Sequence, residues 1–205
     1  MSVEVHQQLL EQCQAFPTLC RMLRQNGVMS LAGQPPGQLL AYLSRAVAGQ
    51  QLSTTAARTI WSRVEQASQP FGGLEAFLLE PNYQLLRQCG LSNAKVKTLL
   101  GVNQALQTGL ISSDIFTSDD IDFIRQQLVQ LWGIGQWTAE MALIFFFAKP
   151  DVWSAGDAAL SRGLALLAET ESASGEQILA AATPYRSYLA LHVWAMLDAE
   201  LLSQA

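Results

Sequence analysis

Leu131-Trp132-Gly133-Ile134-Gly135-Gln136-Trp137-Thr138-Ala139 is the stretch of this chain best equipped to hold a charged partner. It joins a predicted helix ending near Leu131 to another starting near Gln136, with two glycines one apolar residue apart. Glycine tolerates positive φ and lets a backbone come close to a partner. A tight turn feeding a helix N-terminus presents unpaired N–H groups and a partial positive charge, which suits a phosphate oxygen without any Lys or Arg. From Gly-x-Gly alone, an ordinary αα-corner explains the same residues. A dinucleotide fold is excluded, because no strand precedes the turn and the third glycine of that fingerprint is absent.

Asp157 is the second candidate, opening a helix after the loop Pro150-Asp151-Val152-Trp153-Ser154-Ala155-Gly156. An N-cap accounts for any Asp at such a place, and a carboxylate facing a cleft would add electrostatic chemistry. Asp151 is the rival acid, read as a solvated loop residue. Gly49-Gln50-Gln51-Leu52-Ser53 lies between two amphipathic helices. Ser53 can cap the second of these, while the glutamines either fill a polar turn or reach bases and plug a gap in a base stack. Trp137 and Tyr185 fall in the first turns of helices, where a side chain can line a cleft; Trp194 is read as core. Nucleophilic triads fare badly: there is no Gly-x-Ser-x-Gly, and His6 and His192 have no evident Ser or Cys partner. His192 sits mid-helix among apolar residues and is read as a satisfied core histidine.

The elements that must position these groups are helices. Apolar residues recur at three- and four-residue spacing nearly throughout, and alternating β-branched runs are missing. The spacing predicts helices near 3–13, 18–25, 37–48, 53–67, 73–80, 82–89, 92–108, 119–131, 136–148, 158–168, 174–182 and 185–203. Thr117-Ser118-Asp119-Asp120 reads as a capping hydroxyl followed by acids in a positive first turn. The expected fold is all-α and two-lobed: residues 1–36 with 150–205 as a terminal lobe carrying Asp157, and 37–149 as a central lobe ending in the glycine turn. Half of the 205 residues are hydrophobic and 14% are charged, which excludes disorder. The formal charge of −5 argues against bulk electrostatic coating of nucleic acid. The charge is uneven: residues 1–110 hold eight basic and five acidic side chains, and 111–205 hold four and twelve. Cys13, Cys20 and Cys89 are unclustered, which argues against zinc, an iron–sulfur cluster or a disulfide framework and for buried thiols. No signal peptide or membrane-length apolar run is read, so a soluble, intracellular chain is expected.

Taken in order, Gly49-Gln50-Gln51-Leu52-Ser53, Leu86-Arg87-Gln88-Cys89-Gly90-Leu91-Ser92-x-x-Lys95, Leu131-x-Gly133-Ile134-Gly135-x-Trp137-Thr138-Ala139, Pro150-Asp151-Val152 with Asp157, and Pro184-Tyr185-Arg186-Ser187-Tyr188 resemble the helix–hairpin–helix DNA glycosylase superfamily. Within it the alkylpurine (3-methyladenine DNA glycosylase II) branch is the nearest in pattern. The resemblance spans roughly residues 34–200. It implies a two-lobed helical protein with a DNA-binding cleft between lobes, acting as a monofunctional hydrolase on alkylated purines in double-stranded DNA. It places the catalytic aspartate at Asp157 and the base pocket at Trp137, Met141 and Tyr185. DNA contacts fall on Gln50, Gln51, Leu52, Gly133, Ile134, Gly135 and Thr138, with Gln51 or Leu52 as the wedge that fills the space of a flipped nucleotide. No cofactor is required, and a structural Na⁺ or K⁺ on the carbonyls of Val129, Leu131 and Ile134 is implied. The partner is DNA, with no membrane and a monomeric enzyme, cytoplasmic in a bacterium or nuclear in a eukaryote. Met141 stands where the family has an aromatic. A bifunctional glycosylase/lyase would carry a Schiff-base lysine where this chain has Trp137. A non-catalytic DNA-binding module would need only the hairpin.

Overall fold

The computed structural model describes residues 2–199, and the chain is all-α, with no strand among the described residues. Its helices are α1 (Ser2–Gln12), α2 (Pro17–Asn26), α3 (Leu39–Gly49), α4 (Thr54–Ser68), α5 (Leu74–Phe77), α6 (Tyr83–Gln88), α7 (Asn93–Gln107), α8 (Ile121–Val129), α9 (Gln136–Phe145), α10 (Ala158–Glu171), α11 (Gly175–Ala181) and α12 (Arg186–Asp198). The chain divides into two compact units: a central one, Gln34–Phe146, and a terminal one made of the chain up to Gly33 and from Phe147 onward. Residues 200–203 of the last predicted helix lie outside the described residues.

In the central unit α3 packs on α4, α7 and α9, and α8 packs on α9. Leu43, Val47, Val64, Leu86, Leu99, Val102, Leu128 and Leu143 are all buried, each supplied by the apolar stripe of its helix. In the terminal unit α10 and α12 pack on each other and both on α2. A Cβ at Gly163 would stand 2.3 Å from Cγ1 of Val193, so glycine is what lets α10 and α12 approach so closely. Cys13, Cys20 and Cys89 are free, buried thiols, and burial pushes Cys13 up to about 12.

Three local expectations are corrected. The helix expected over 119–131 starts at Ile121, and its cap is the Asp120 carboxylate, which accepts from the N–H groups of Asp122 (2.9 Å) and Phe123 (3.0 Å). A carboxylate offers the same acceptor as a hydroxyl and adds charge at the positive helix end. The helix expected over 136–148 ends at Phe145, because Gln34 draws the Phe146 carbonyl onto its N–H (2.9 Å) and the Phe145 carbonyl onto its Nε2 (3.1 Å). Ala148 then turns at φ +51° ahead of Pro150. His192 is buried but not satisfied: its Nδ1 and that of His6 lack hydrogen-bond partners, and the two rings lie 5.7 Å apart. No described helix is long and apolar enough to cross a membrane.

Burial, with His6 beside it, holds His192 down to about 4, against 6.5 for an unhindered imidazole. The unfolded chain therefore takes up a proton before the folded one does, and stability falls as pH drops from about 6.5 toward 4. At about 1.4 kcal/mol per pH unit the full loss is about 3 kcal/mol. Urea unfolding at pH 7 and pH 4.5 should show a steeper loss for wild type than for His192→Leu. Parallel losses would remove His192 from the acid sensitivity.

Candidate functional site

The turn between α8 and α9 uses its two glycines differently. Gly133 sits at φ +83°, and a Cβ there would lie 2.1 Å from Oγ1 of Thr98 on α7. Ile134 is buried, and its N–H donates to the Leu131 carbonyl at 3.0 Å, closing the turn. Gly135 is the N-cap of α9 at φ −86° and ψ 173°, ordinary extended backbone with nothing within 4 Å of its Cβ position. The expectation that both glycines supply conformational freedom is therefore corrected to Gly133 alone. Gly135 offers no side-chain oxygen to cap α9, whereas Ser53, Ser92, Asp120, Asp157 and Ser174 each cap their own helices. The chain thus leaves the first-turn amides of α9 without a side-chain cap, as an anion site requires. Trp132, more than half exposed, flanks the turn, with the Lys97 ammonium 4.5 Å from its ring centre.

The Gly49–Ser53 turn lies beside it in the same unit. Gln51 is exposed at φ +59°, a left-handed conformation costing a side-chain-bearing residue about 1–2 kcal/mol. Leu52 is also exposed, and Ser53 caps α4 through Ala56 N–H at 3.3 Å. Gln50 does not point outward as its neighbour does. Its Nε2 donates to Oγ1 of buried Thr138 (3.2 Å) and reaches the Gly133 carbonyl (3.5 Å), bracing the glycine turn. Lys95, at the start of α7, donates from Nζ to the carbonyls of Ala48 (2.9 Å) and Gln50 (2.8 Å).

Trp137, 45% exposed, lines a cavity of about 570 Å³ with Tyr42, Trp61, Gln38, Arg45 and Glu65, all of the central unit. Such a volume accepts a planar heterocycle, and the aromatic walls favour a cationic one. Met141 is buried one turn further along α9, and its carbonyl accepts from the Tyr42 hydroxyl at 2.9 Å. Burial pushes Tyr42 up to about 12, so that hydroxyl remains a donor.

In the terminal unit Asp157 caps α10, its Oδ1 accepting from Leu160 N–H (2.9 Å) and from the indole Nε1 of Trp194 (3.3 Å). Trp194, read from sequence as core alone, packs against the terminal core and also holds this carboxylate. Asp151 is not the solvated loop residue expected. The Arg186 guanidinium binds it in a fork, Nε to Oδ1 at 2.7 Å and Nη2 to Oδ2 at 2.8 Å. Burial alone would raise the Asp151 carboxyl, but the side-chain and backbone hydrogen bonds and the charge of Arg186 outweigh it and hold it below the usual carboxylate value. Ser187 completes the latch: its Oγ accepts from Val152 N–H (2.9 Å) and donates to the Lys149 carbonyl (2.7 Å). Tyr185 is the N-cap residue of α12, lines a cavity of about 660 Å³ with Tyr188 and Gln8, and gives its hydroxyl to the Gln8 amide oxygen.

Thr98, Lys95, Trp194, Arg186 and Ser187 were thus missed as holders of the site. Lys95, Arg186 and Ser187 lay inside the family-like blocks without an assigned task, and Thr98 carried no sequence signal. Among the described residues no three His, Cys, Asp or Glu gather as metal ligands.

No family model matches the chain. Over 128 residues it is 34% identical to DNA-3-methyladenine glycosylase 1 of Schizosaccharomyces pombe, covering 59% of this chain and 54% of that one. Over 167 residues it is 23% identical to a putative DNA-3-methyladenine glycosylase of Bacillus subtilis, covering 76% and 58%. The chain thus spans little more than half the length of these two curated relatives. The crystal structure of a DNA-3-methyladenine glycosidase from Bacillus halodurans superposes with TM-score 0.75 at 28% identity, over 90% of this chain and 86% of that one. The Schizosaccharomyces pombe 3-methyladenine DNA glycosylase in complex with abasic DNA also gives 0.75, at 24% identity over 95% and 97%, and shares the fold.

The unequal glycines give a direct test. Gly133→Ala combines a left-handed backbone with overlap on Thr98 and should lower stability by about 3 kcal/mol, roughly 10 °C in Tm. Gly135→Ala should leave Tm within about 2 °C. Thermal melts that fall equally for both variants would contradict the assigned geometry of the turn.

Proposed function

We propose that this chain, a member of the helix–hairpin–helix DNA glycosylase superfamily, is a monofunctional DNA glycosylase that hydrolyses the N-glycosidic bond of alkylated purines. The observation that carries this is the Asp157 carboxylate held at the start of α10 by the Leu160 amide and the Trp194 indole. Such fixed donors set the orientation of a carboxylate before any substrate arrives. Its relatives' names and the solved fold with 28% identity support the same chemistry.

The central unit supplies the grip. The uncapped amides of α9, with Gly135 giving a smooth approach, take a phosphate oxygen of duplex DNA. Because backbone dipoles do this, the net charge of −5 is no obstacle. We propose that the same turn holds an alkali cation: α8 ends at Val129, so its carbonyl lies at the negative end of a helix, and the Leu131 carbonyl, which also accepts from Ile134 N–H, and the Ile134 carbonyl would add neutral oxygens. A bound Na⁺ or K⁺ there would supply positive charge and stiffen the turn.

Reaching the bond requires the nucleotide to leave the stack, at a cost of a few kcal/mol. Gln51 and Leu52, exposed on the tight turn, are suited to occupy the vacated space. An alkylated ring nitrogen makes the purine cationic, and the electron-rich face of Trp137 attracts it by about 0.5–2 kcal/mol. The C1′–N bond then breaks with its electron pair going to the base, which leaves neutral. Positive charge develops on the sugar, where Asp157 stabilises it and orients the water that adds to C1′, the proton that water gives up passing to the carboxylate or to solvent. Position 137, where the lyase lysine would stand, is Trp; of the three lysines, Lys95 is committed to two carbonyls and Lys97 lies over Trp132. The enzyme acts as a monomer on chromosomal DNA.

Asp157→Asn keeps an oxygen for Leu160 and Trp194, so its stability should change by less than about 1 kcal/mol. Its single-turnover base release from alkylated duplex should fall by about 10²–10³, because the charge facing the cationic sugar is gone. Affinity for lesion DNA should hold or rise. A mutant within about threefold of wild type would leave Asp157 as a helix cap only.

A further inference from the structure

We infer that the Lys95 ammonium is a positioning group that presets the Gly49–Ser53 turn for displacing a base. The inference rests on the glycosylase reading for what the turn does, and on geometry for how it is held. Lys95 is the third residue of α7, where a cation opposes the positive end of the helix. The placement is explained by what Nζ reaches: the Ala48 carbonyl at 2.9 Å and the Gln50 carbonyl at 2.8 Å, at the C-terminal end of α3. Charge-assisted bonds to helix-end carbonyls are the stronger kind. Burial holds the Lys95 pKa below the usual lysine value, consistent with an ammonium drawn in from solvent.

The Gln50 carbonyl belongs to the same peptide plane as the Gln51 N–H. Fixing that carbonyl fixes the plane from which Gln51 turns to φ +59°. A side-chain-bearing residue keeps such a conformation only where its surroundings over-determine it. Here they do so from two sides, Lys95 on the Gln50 carbonyl and Thr138 on the Gln50 amide. One turn along α7 from Lys95, Thr98 fills the space beside Gly133. A single helix therefore sets both the displacing turn and the phosphate-gripping turn. Lys95 acts through Gln51 and its neighbours, not on the reacting atoms.

The test compares binding to a duplex carrying a tetrahydrofuran abasic-site analogue with binding to the same intact duplex. Lys95→Met, which keeps the aliphatic stem, should lower the preference for the abasic duplex at least fivefold while intact-duplex affinity stays within twofold. Lys95→Arg, which can still reach both carbonyls, should restore the preference to within twofold. In a Gln51→Ala background, Lys95→Met should add no further loss. A folded Lys95→Met with wild-type preference overturns the inference, as does an equal loss on both duplexes or an undiminished effect without Gln51. If Lys95→Met does not fold, Lys95→Gln takes its place with the same expectations. Base release by wild type is scored separately: its failure, with the binding pattern intact, counts against the hydrolase and for the clamp.

Discussion

Thr98 sits where a side chain at position 133 would have to go, and the rest of the central unit is arranged around that contact. It leaves room only for glycine at position 133, where the chain makes a left-handed turn, and Gly135 after it leaves the first amides of α9 without a side-chain cap. The same helix presents Lys95 to the end of α3. Gln50 ties the two turns together through Thr138. The two turns are thus fixed relative to each other by side chains within one compact unit. For the stiff duplex DNA proposed as its partner this would matter, because contacts that must be met simultaneously reward preorganisation.

The terminal unit solves a different problem, keeping a carboxylate oriented at a loop. The forked Arg186–Asp151 pair and the Ser187 hydroxyl fasten residues 149–152 to the start of α12. From there the chain runs to Asp157, whose Oδ1 takes an amide and an indole N–H. The two aspartates share a loop and have opposite employment. Asp151 is bound in a fork by a guanidinium, whereas Oδ1 of Asp157 accepts from the Leu160 amide and the Trp194 indole.

Much of this was legible in the sequence. The 3.6-residue periodicity marked the helices, and Asp157 and Ser53 stood where caps belong. What escaped were contacts between residues far apart in the chain. Nothing near Thr98 announces that it packs on a glycine 35 positions away, and Trp194 carries the apolar surroundings of a core residue while its one polar atom does the positioning. Asp151 was misread because loop position predicts exposure, and its partner Arg186 lies on another helix. Gln50 and Gln51 looked interchangeable, yet one braces inward and the other is exposed, since the turn at Gln51 points adjacent side chains apart.

The identity of the product decides most directly whether this chain is a monofunctional glycosylase. Wild-type protein incubated with a duplex bearing N-alkylated purines, followed by mass spectrometry of the small-molecule fraction and denaturing electrophoresis of the strands, reads it in one experiment. Free alkylpurine should appear together with a strand that stays whole until treated with alkali. Bound but unaltered alkylated DNA, or a strand cut without alkali, would contradict it.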